Sequence, residues 1–173
     1  MKRIIKLTLT VACVLCSTSM FAQKFGRINL QEIIFAMPET KEMQDNLEAL
    51  RKDWGEQLET IQVEFNNKYT DFQKERNNLS ATAVQVKESE LQSLQTRYTE
   101  LQQVAQQDIE RQQNELFAPI QQKAMDAVKK VAAAGKFIAV FDMSIPSLAY
   151  VDEASVTDIS ADVRKALGIT ESK

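Results

Sequence analysis

The sequence predicts an α+β fold that is mostly α, in which a long antiparallel helical hairpin projects from a small body that contains β-strands. Three observations support this prediction. Between Pro38 and Pro119 the chain has no further proline and only one glycine, Gly55, which favours long helices. Apolar residues in this region recur at steps of three and four, on both sides of a break near residues 77–82. Short apolar runs that suit strands flank the region.

The first 22 residues are predicted to be a secretory signal peptide. A basic start, "MKRIIK", precedes the apolar run "LTLTVACVLCSTSMF", and Ala22 completes a cleavage site before Gln23. A membrane anchor is the alternative, but the apolar run is short for a span of about 20 residues. Cys13 and Cys16 are the only cysteines, and they leave a lipoprotein interpretation open. After cleavage the chain would have no thiols and no disulfides.

The first strand-forming block covers residues 24–37. Ile28 and Leu30 alternate with polar neighbours, which predicts a short, half-buried strand. The following "QEIIFAM" predicts a helical turn that leads to Pro38. Together with residues 135–173, residues 23–37 are expected to form the β-containing body.

The hairpin is predicted to occupy residues 38–134, with its tip near 77–82. Pro38 suits the first position of a helix, and Glu39 and Glu42 favour its positive end. The steps between apolar residues give a period of about 3.67, which predicts a nearly straight or weakly right-handed helix pair. The outgoing apolar positions are Met43, Leu47, Leu50, Trp54, Leu58, Ile61, Phe65, Tyr69 and Phe72.

The return helix is predicted to begin at a capping box, Thr82-x-x-Gln85. It should end at Gly135 as a C-cap, and Pro119 should kink or divide it. The stretch "QQVAQQDIERQQ", residues 102–113, has almost no apolar face, so helical propensity and modest packing are expected to hold it. The return apolar positions are Leu91, Leu94, Tyr98, Leu101, Ala105, Ile109, Leu116, Phe117, Ile120, Ala124, Val128 and Val131.

The third block completes the predicted body. "FIAVFD", residues 137–142, is apolar on both faces, as in a buried strand. After Pro146, "SLAYVD", residues 147–152, is predicted to be a second strand. Residues 158–168 predict a short helix, which Asp158 or Ser160 caps and Gly168 closes. Because one copy of so small a body leaves open strand edges, several copies are expected to share one core.

Composition argues against an enzyme. The chain has no histidine and no glycine-rich phosphate loop. The acidic pairs Glu88/Glu90 and Asp152/Glu153 are interpreted as solvated surface charges rather than catalytic dyads. No basic stripe carries interleaved aromatic residues, so nucleic acid is not an expected partner. No cofactor and no metal site is expected.

The order of elements and the two ends of the chain resemble the Skp (OmpH-like) family of periplasmic chaperones. "KFGRINLQEIIFAMPET" resembles the start of the family, and "VKKVAAAGKFIAVFDMSIPSLAYVDEASVTDISADVRKALG" resembles its end more closely. The resemblance implies a jellyfish-like homotrimer in the periplasm. Three helical arms would surround a cavity that holds unfolded outer-membrane β-barrel proteins without ATP. Its expected partners are these clients, two further copies of the chain and, transiently, the membrane surface.

Under this resemblance, two groups of residues become candidate sites. Residues expected to build the trimer body are Ile28, Leu30, Phe137, Ile138, Val140, Phe141, Leu148 and Tyr150. Residues expected to bind the client are Leu79, Val84, Val86, Phe65, Tyr69 and Phe72. The alternative for Phe65, Tyr69 and Phe72 is packing inside the hairpin seam.

The arms depart from the family in their charge. Residues 39–118 carry nine Lys/Arg and sixteen Asp/Glu, a net charge of −7, whereas typical family members have basic arms. No lipopolysaccharide site is therefore expected, and client capture should depend on apolar arm surface. An envelope coiled-coil protein with a structural or adaptor role is the competing hypothesis.

Overall fold

The computed structural model describes residues 23–146 and 148–169. The predicted signal peptide, including Cys13 and Cys16, lies outside the described residues, as does the end of the chain from residue 170. The elements in chain order are β1 (Lys24–Ile28), α1 (Leu30–Ala36), α2 (Pro38–Glu75), a 3₁₀ turn (Arg76–Asn78), α3 (Ala81–Gly135), β2 (Phe137–Asp142), β3 (Thr157–Asp158) and α4 (Ser160–Ala166). The chain is mostly helical with one small sheet, which confirms the predicted fold class.

The described chain forms two compact units. Residues 32–126 make up a helical unit, and residues 23–31 with 127–169 make up a sheet unit. The predicted roles of a client-holding arm and a trimerisation body stay predictions.

Helix α2 begins at Pro38, as predicted, and runs for 38 residues, about 57 Å. Proline suits this position because its missing N–H would have no helical acceptor there. The side chain of Thr40, which is buried, donates a hydrogen bond from Oγ1 to the carbonyl oxygen of Ile34. This bond ties the first turn of α2 to the end of α1.

The prediction that Thr82 caps the return helix is wrong. Helix α3 begins at Ala81, and the Oγ of Ser80 accepts a hydrogen bond from the N–H of Ala83 at 3.3 Å. The 3₁₀ turn ends with the N–H of Leu79 bonded to the carbonyl oxygen of Arg76 at 3.4 Å. The next residue, Ser80, is therefore already in place as the cap, and Thr82 falls inside the helix.

Pro119 does not divide α3, which continues from Ala81 to Gly135. Proline removes one helical N–H and leaves the carbonyl oxygen of Glu115 without its usual donor. Both Pro119 and Glu115 are exposed, so water can bind that oxygen at little cost.

The end of α3 also differs from the prediction. The left-handed residue that follows the helix is Lys136, with φ 56°, and not Gly135. Gly135 is needed for another reason. A Cβ atom placed there would lie 2.4 Å from Cε2 of Phe137, so only glycine lets this ring pack against the helix end.

The sheet has three parallel strands in the order β2-β1-β3. The predicted strand "FIAVFD" matches β2, but the strand predicted at residues 147–152 is wrong. Residues 148–152 are irregular, and β3 is instead the short pair Thr157–Asp158. Strand β3 pairs with the edge of β1 that β2 leaves open, and next to it the N–H of Ile159 donates a hydrogen bond to the carbonyl oxygen of Arg27 at 3.1 Å.

Helix α4 ends as predicted, but neither residue predicted to cap its start is the N-cap. The N-cap is Ile159, which has no side-chain cap, and the Oδ1 of Asp158, one residue earlier, accepts from the N–H of Ser160 at 2.9 Å. Hydrogen bonds from Ser160 hold the pKa of the Asp158 carboxyl below its usual range. Gly168 has φ 72°, and the N–H of Ile169 bonds to the carbonyl oxygen of Arg164 at 2.9 Å. This is the Schellman arrangement that glycine favours.

The core of the sheet unit is small. Its buried apolar residues are Ile28, Ala127, Ile159 and Val163. Asp142, at the end of β2, adds a polar link because its Oδ1 accepts hydrogen bonds from the N–H of Leu30 at 3.1 Å and from Ser144. One carboxylate thus joins the end of β2 to the start of α1, which follows β1, and to the turn at Ser144.

Candidate functional site

The seam between α2 and α3 buries only part of the predicted apolar positions. Among them, the residues with side chains less than a tenth exposed are Leu47, Ile61, Phe72, Leu91, Leu94, Ala105, Ile120 and Ala124. The others are half-buried, except Tyr69 and Phe117, which are exposed. The helices therefore share a thin core, and apolar surface remains in contact with water along the pair.

Polar contacts across the seam fix its antiparallel register. The indole Nε1 of Trp54 donates to Oδ2 of Asp108 at 3.1 Å. Lys68 pairs with Glu90 at 3.4 Å, and Arg76 pairs with Glu88 at 3.7 Å. Each contact joins a residue of α2 or the 3₁₀ turn to one of α3. The ion pairs are exposed and contribute little each, about 0 to 1 kcal/mol.

The glutamine-rich stretch is held by two contacts that its composition hides. Ala105 is buried, and a small residue lets the two helices approach closely. Asp108 accepts the hydrogen bond of Trp54 from the facing helix. The six glutamines are exposed or half-buried. The sequence contains one signal that could have revealed this contact. Asp108 directly precedes Ile109, a predicted seam position, and antiparallel pairing of the helices places it opposite Trp54, the only tryptophan.

The residues predicted to bind the client divide into surface and seam. Phe72 is 5% exposed and lies in the seam, with the guanidinium of Arg76 5.7 Å from the centre of its ring. The rings of Phe65 and Tyr69 stack with centres 6.0 Å apart. Val86 is 53% exposed, and Leu79 and Val84 are half-buried beside the turn.

A groove of about 620 Å³ opens on the seam near the middle of the helical unit. Its apolar lining comes from Ile61, Phe65, Leu94 and Tyr98, and its rim is mostly glutamine and threonine. The groove brings Phe65 from the predicted client surface together with Tyr98, which was predicted only as a seam residue.

Two further grooves were not predicted from the sequence. Both are lined by Met43, and their volumes are about 530 and about 270 Å³. Phe35, 62% exposed, and Phe117, 36% exposed, line the larger one. Phe35 follows two buried isoleucines in an apolar run, so periodicity alone could not show that its side chain faces water.

The residues predicted to build the trimer body also differ in exposure. Ile28 is buried, whereas Ile138, Leu148 and Tyr150 are 61%, 40% and 82% exposed. The rest are half-buried, namely Leu30, Phe137, Val140 and Phe141. The sheet of one chain therefore leaves large apolar side chains in water.

The acidic pairs are not arranged as catalytic dyads. Glu88 pairs with Arg76 and Glu90 with Lys68. Glu153 pairs with Arg27 at 3.2 Å, and Asp152 accepts a hydrogen bond from Ser155 in a surface turn. Within residues 23–146 and 148–169, no three carboxylates gather into a group that could hold a metal ion. Nor does any helix in these ranges have the length and apolar character to cross a membrane.

Comparison with known proteins agrees with this architecture. The family model described as "Outer membrane protein (OmpH-like)" matches residues 24–167. Two relatives are named chaperone protein Skp. The one from Yersinia enterocolitica is 28% identical over 149 residues, covering 86% of this chain and 88% of the relative. The one from Pectobacterium atrosepticum is 26% identical over 144 residues, covering 83% of this chain and 85% of the relative.

A solved structure gives the same fold. The crystal structure of an OmpH-like outer membrane chaperone from Caulobacter crescentus CB15 aligns with a TM-score of 0.73 at 14% identity, covering 84% of this chain and 83% of that chain. The family model covers most of the chain, and the helical pair with its parallel sheet fits that fold. The chain therefore belongs to the OmpH-like family.

Proposed function

We propose that this chain is an ATP-independent holdase chaperone of the periplasm. It binds unfolded outer-membrane β-barrel proteins in a cavity between helical arms and prevents their aggregation. The observation that carries the proposal is the OmpH-like match over residues 24–167, on a helical pair whose seam is thin. Relatives named as chaperones support it. No residue acts as a catalyst in this function, and no cofactor is used.

Exposed apolar side chains along the helical unit suit the binding of unfolded chains. They are spread over its length at Val63, Tyr69, Val86 and Val104, each 46% to 53% exposed. A dispersed surface of this kind gives many weak contacts rather than one pocket, so that clients of different sequence can bind. The proposed client contacts are Leu79, Val84, Val86, Phe65 and Tyr69. Phe72 supports them from within the seam.

A homotrimer is part of the proposal. Ile138 on β2, and Leu148 and Tyr150 in the following loop, expose large apolar surfaces that a subunit contact would cover. Strand β2 lies at one edge of the sheet, and no other strand of the described residues pairs with its outer side. A body with so few buried residues also gains stability from association.

The test uses purified residues 23–173. A urea-unfolded outer-membrane β-barrel is diluted into buffer with and without this protein, in the absence of ATP, and turbidity is followed. Suppression near three chains per client, together with a native mass of three chains, is the expected result. An unrelated globular protein of similar size serves as the control.

Undiminished aggregation at a several-fold excess would overturn the holdase proposal. A dimeric mass with no suppression would favour an envelope coiled-coil protein with a structural or adaptor role. That alternative is also consistent with the long polar helix pair, whose exposed apolar residues would then contact a folded partner.

A further inference from the structure

The charge of the helical unit is not spread evenly. Residues 39–59 carry seven Asp/Glu and three Lys/Arg, and residues 100–118 carry four Asp/Glu and one Lys/Arg. The net charge of these two segments together is −7. Residues 60–99, around the turn, carry five of each and are neutral. The whole net charge of the arm therefore lies in the half remote from the turn, which we name the turn-distal half.

Four carboxylates wind around α2 in this half, because each step of three residues turns the side chain by about 60° around the helix. Glu39, Glu42, Asp45 and Glu48 follow one another at intervals of three residues. Like charges at this spacing destabilise a helix by about 0.2 to 0.5 kcal/mol per pair. Only Glu39 has a basic partner within the described helices, Lys123 of α3, and the hydrogen bond from Lys123 lowers the pKa of the Glu39 carboxyl.

Three of these four carboxylates border the two grooves that share Met43. Glu39 and Glu42 line the smaller groove, and Glu48 lines the larger one. The apolar lining of the grooves comes from Phe35, Met43, Leu47, Leu116, Phe117, Pro119 and Ile120. Lys123 is offset by Glu39, which leaves Arg51 as the one lining cation without an ion pair among the described residues. Glu48 shares the larger groove with Arg51, so the excess negative charge of the lining comes from Glu42 at the smaller groove. Apolar surface thus lies beside a small excess of negative charge, within a half of the arm that carries −7 in total.

We propose that these two grooves dock unfolded client segments in which aromatic or aliphatic side chains are flanked by lysine or arginine. The proposal rests on the proposed function and specifies which part of a client the turn-distal half takes. Apolar client side chains would bury against Phe35 and Phe117 in the larger groove, and the flanking cations would face Glu48 there and Glu42 at the smaller groove. Acidic client segments are repelled from this half and are left to the neutral half around the turn.

The test uses two unstructured fluorescent peptides with the same Phe and Leu residues. One has lysine at every flanking position, and the other has glutamate. Binding to residues 23–173 is followed by fluorescence anisotropy at about 0.02 M and about 0.5 M salt. At low salt the lysine peptide should bind about tenfold more tightly, which corresponds to three or four surface charge contacts. At high salt the two affinities should converge.

Two variants locate the effect at the grooves, at about 0.15 M salt. Glu42→Gln with Glu48→Gln should weaken the lysine peptide about fourfold and leave the glutamate peptide unchanged or slightly tighter. Phe35→Ser should weaken both peptides about fivefold, because it removes apolar contact rather than charge. The matched control is Glu59→Gln with Glu75→Gln, the same change of charge at exposed positions outside the grooves. Glu59 lies about 16 Å along the helix from Glu48, beyond the screening length.

Equal binding of the two peptides, or an equal effect of the control pair, would overturn the inference. A change in native mass with Phe35→Ser would also overturn it, because the larger groove would then be a contact between copies of the chain. The turbidity assay separates the two proposals. Suppressed aggregation without peptide discrimination rejects only the charge-selective grooves, whereas peptide discrimination without suppression rejects only the holdase.

Discussion

Replacing Asp108 by alanine tests how the glutamine-rich part of α3 is held. The change removes the acceptor of the Trp54 indole and leaves a half-buried N–H without its partner, and it also removes the surface ion pair between Asp108 and Arg111. A hydrogen bond to a charged group contributes about 1.5 to 3 kcal/mol. We take the lower end, because the side chain of Asp108 is 22% exposed. Alanine favours helix by about 0.6 kcal/mol over aspartate, so the expected net loss of stability is about 1 kcal/mol.

The assay is urea unfolding followed by the fluorescence of Trp54, the only tryptophan, with far-ultraviolet circular dichroism as the measure of total helix. With a slope of about 2 kcal/mol per M, the midpoint should fall by about 0.5 M. Asp108→Asn keeps an acceptor oxygen, so its loss of stability should be less than half that of Asp108→Ala. All variants are compared at one protein concentration, because association also adds to stability.

The matched control is Asp53→Ala, which removes an exposed aspartate beside Trp54 that has no ion pair among the described residues. It should gain only the helix propensity of alanine and unfold at the same or a slightly higher urea concentration. Equal midpoints for Asp108→Ala and Asp53→Ala would refute the reasoning. The glutamine-rich stretch would then be held by propensity and Ala105 alone.

Three further predictions concern the other parts of the chain. Ile159→Ala should lower the free energy of unfolding by about 2 to 4 kcal/mol, measured by urea denaturation, because a fully buried side chain of the sheet unit is truncated. Ser80→Ala should cost about 1 kcal/mol in the same measurement, whereas Ser80→Thr should retain most of the cap. Lys123 lowers the pKa of Glu39, so this pair adds stability above the unfolded pKa of about 4.5 and loses it as the pH falls through the lower folded pKa. Wild type should therefore lose more stability than Glu39→Gln in an acid titration below that pH, and parallel curves would contradict the assignment.

The helices could be predicted because their signals are local and long. Pro38 marks the start of α2, and the steps of three and four mark its buried face over many turns. The error at β3 has the opposite cause. A strand of two residues has no periodicity, and its position depends on a main-chain bond to Arg27, about 130 residues earlier. The sequence of residues 148–152 resembles a strand more than that of residues 157–158 does. Both edges of β1 are already paired, with β2 and β3, so residues 148–152 have no place beside it.

The candidate surface was harder to predict than the fold. Periodicity placed Phe65, Tyr69 and Phe72 in one seam, but their exposure differs because the register with α3 leaves Tyr69 outside it. Phe35 and Phe117 lie far apart in sequence and meet at one groove only through the helix pairing. The net charge of the arm could be counted from the sequence. Which charged residues line the grooves could be seen only from the structure of the paired helices.

The central position of β1 in a parallel sheet has a consequence for how the protein folds. The hydrogen bond between Leu30 and Asp142 joins residues 112 positions apart in the chain. The helices can form early from local contacts, whereas sheet closure needs the return of a distant segment and is expected to be the slow step. During synthesis, which runs from the amino terminus, β1 has both edges unpaired until the segment of β2 has been made. A fragment cut before Phe137 never pairs that edge, so it should aggregate even though its helices form.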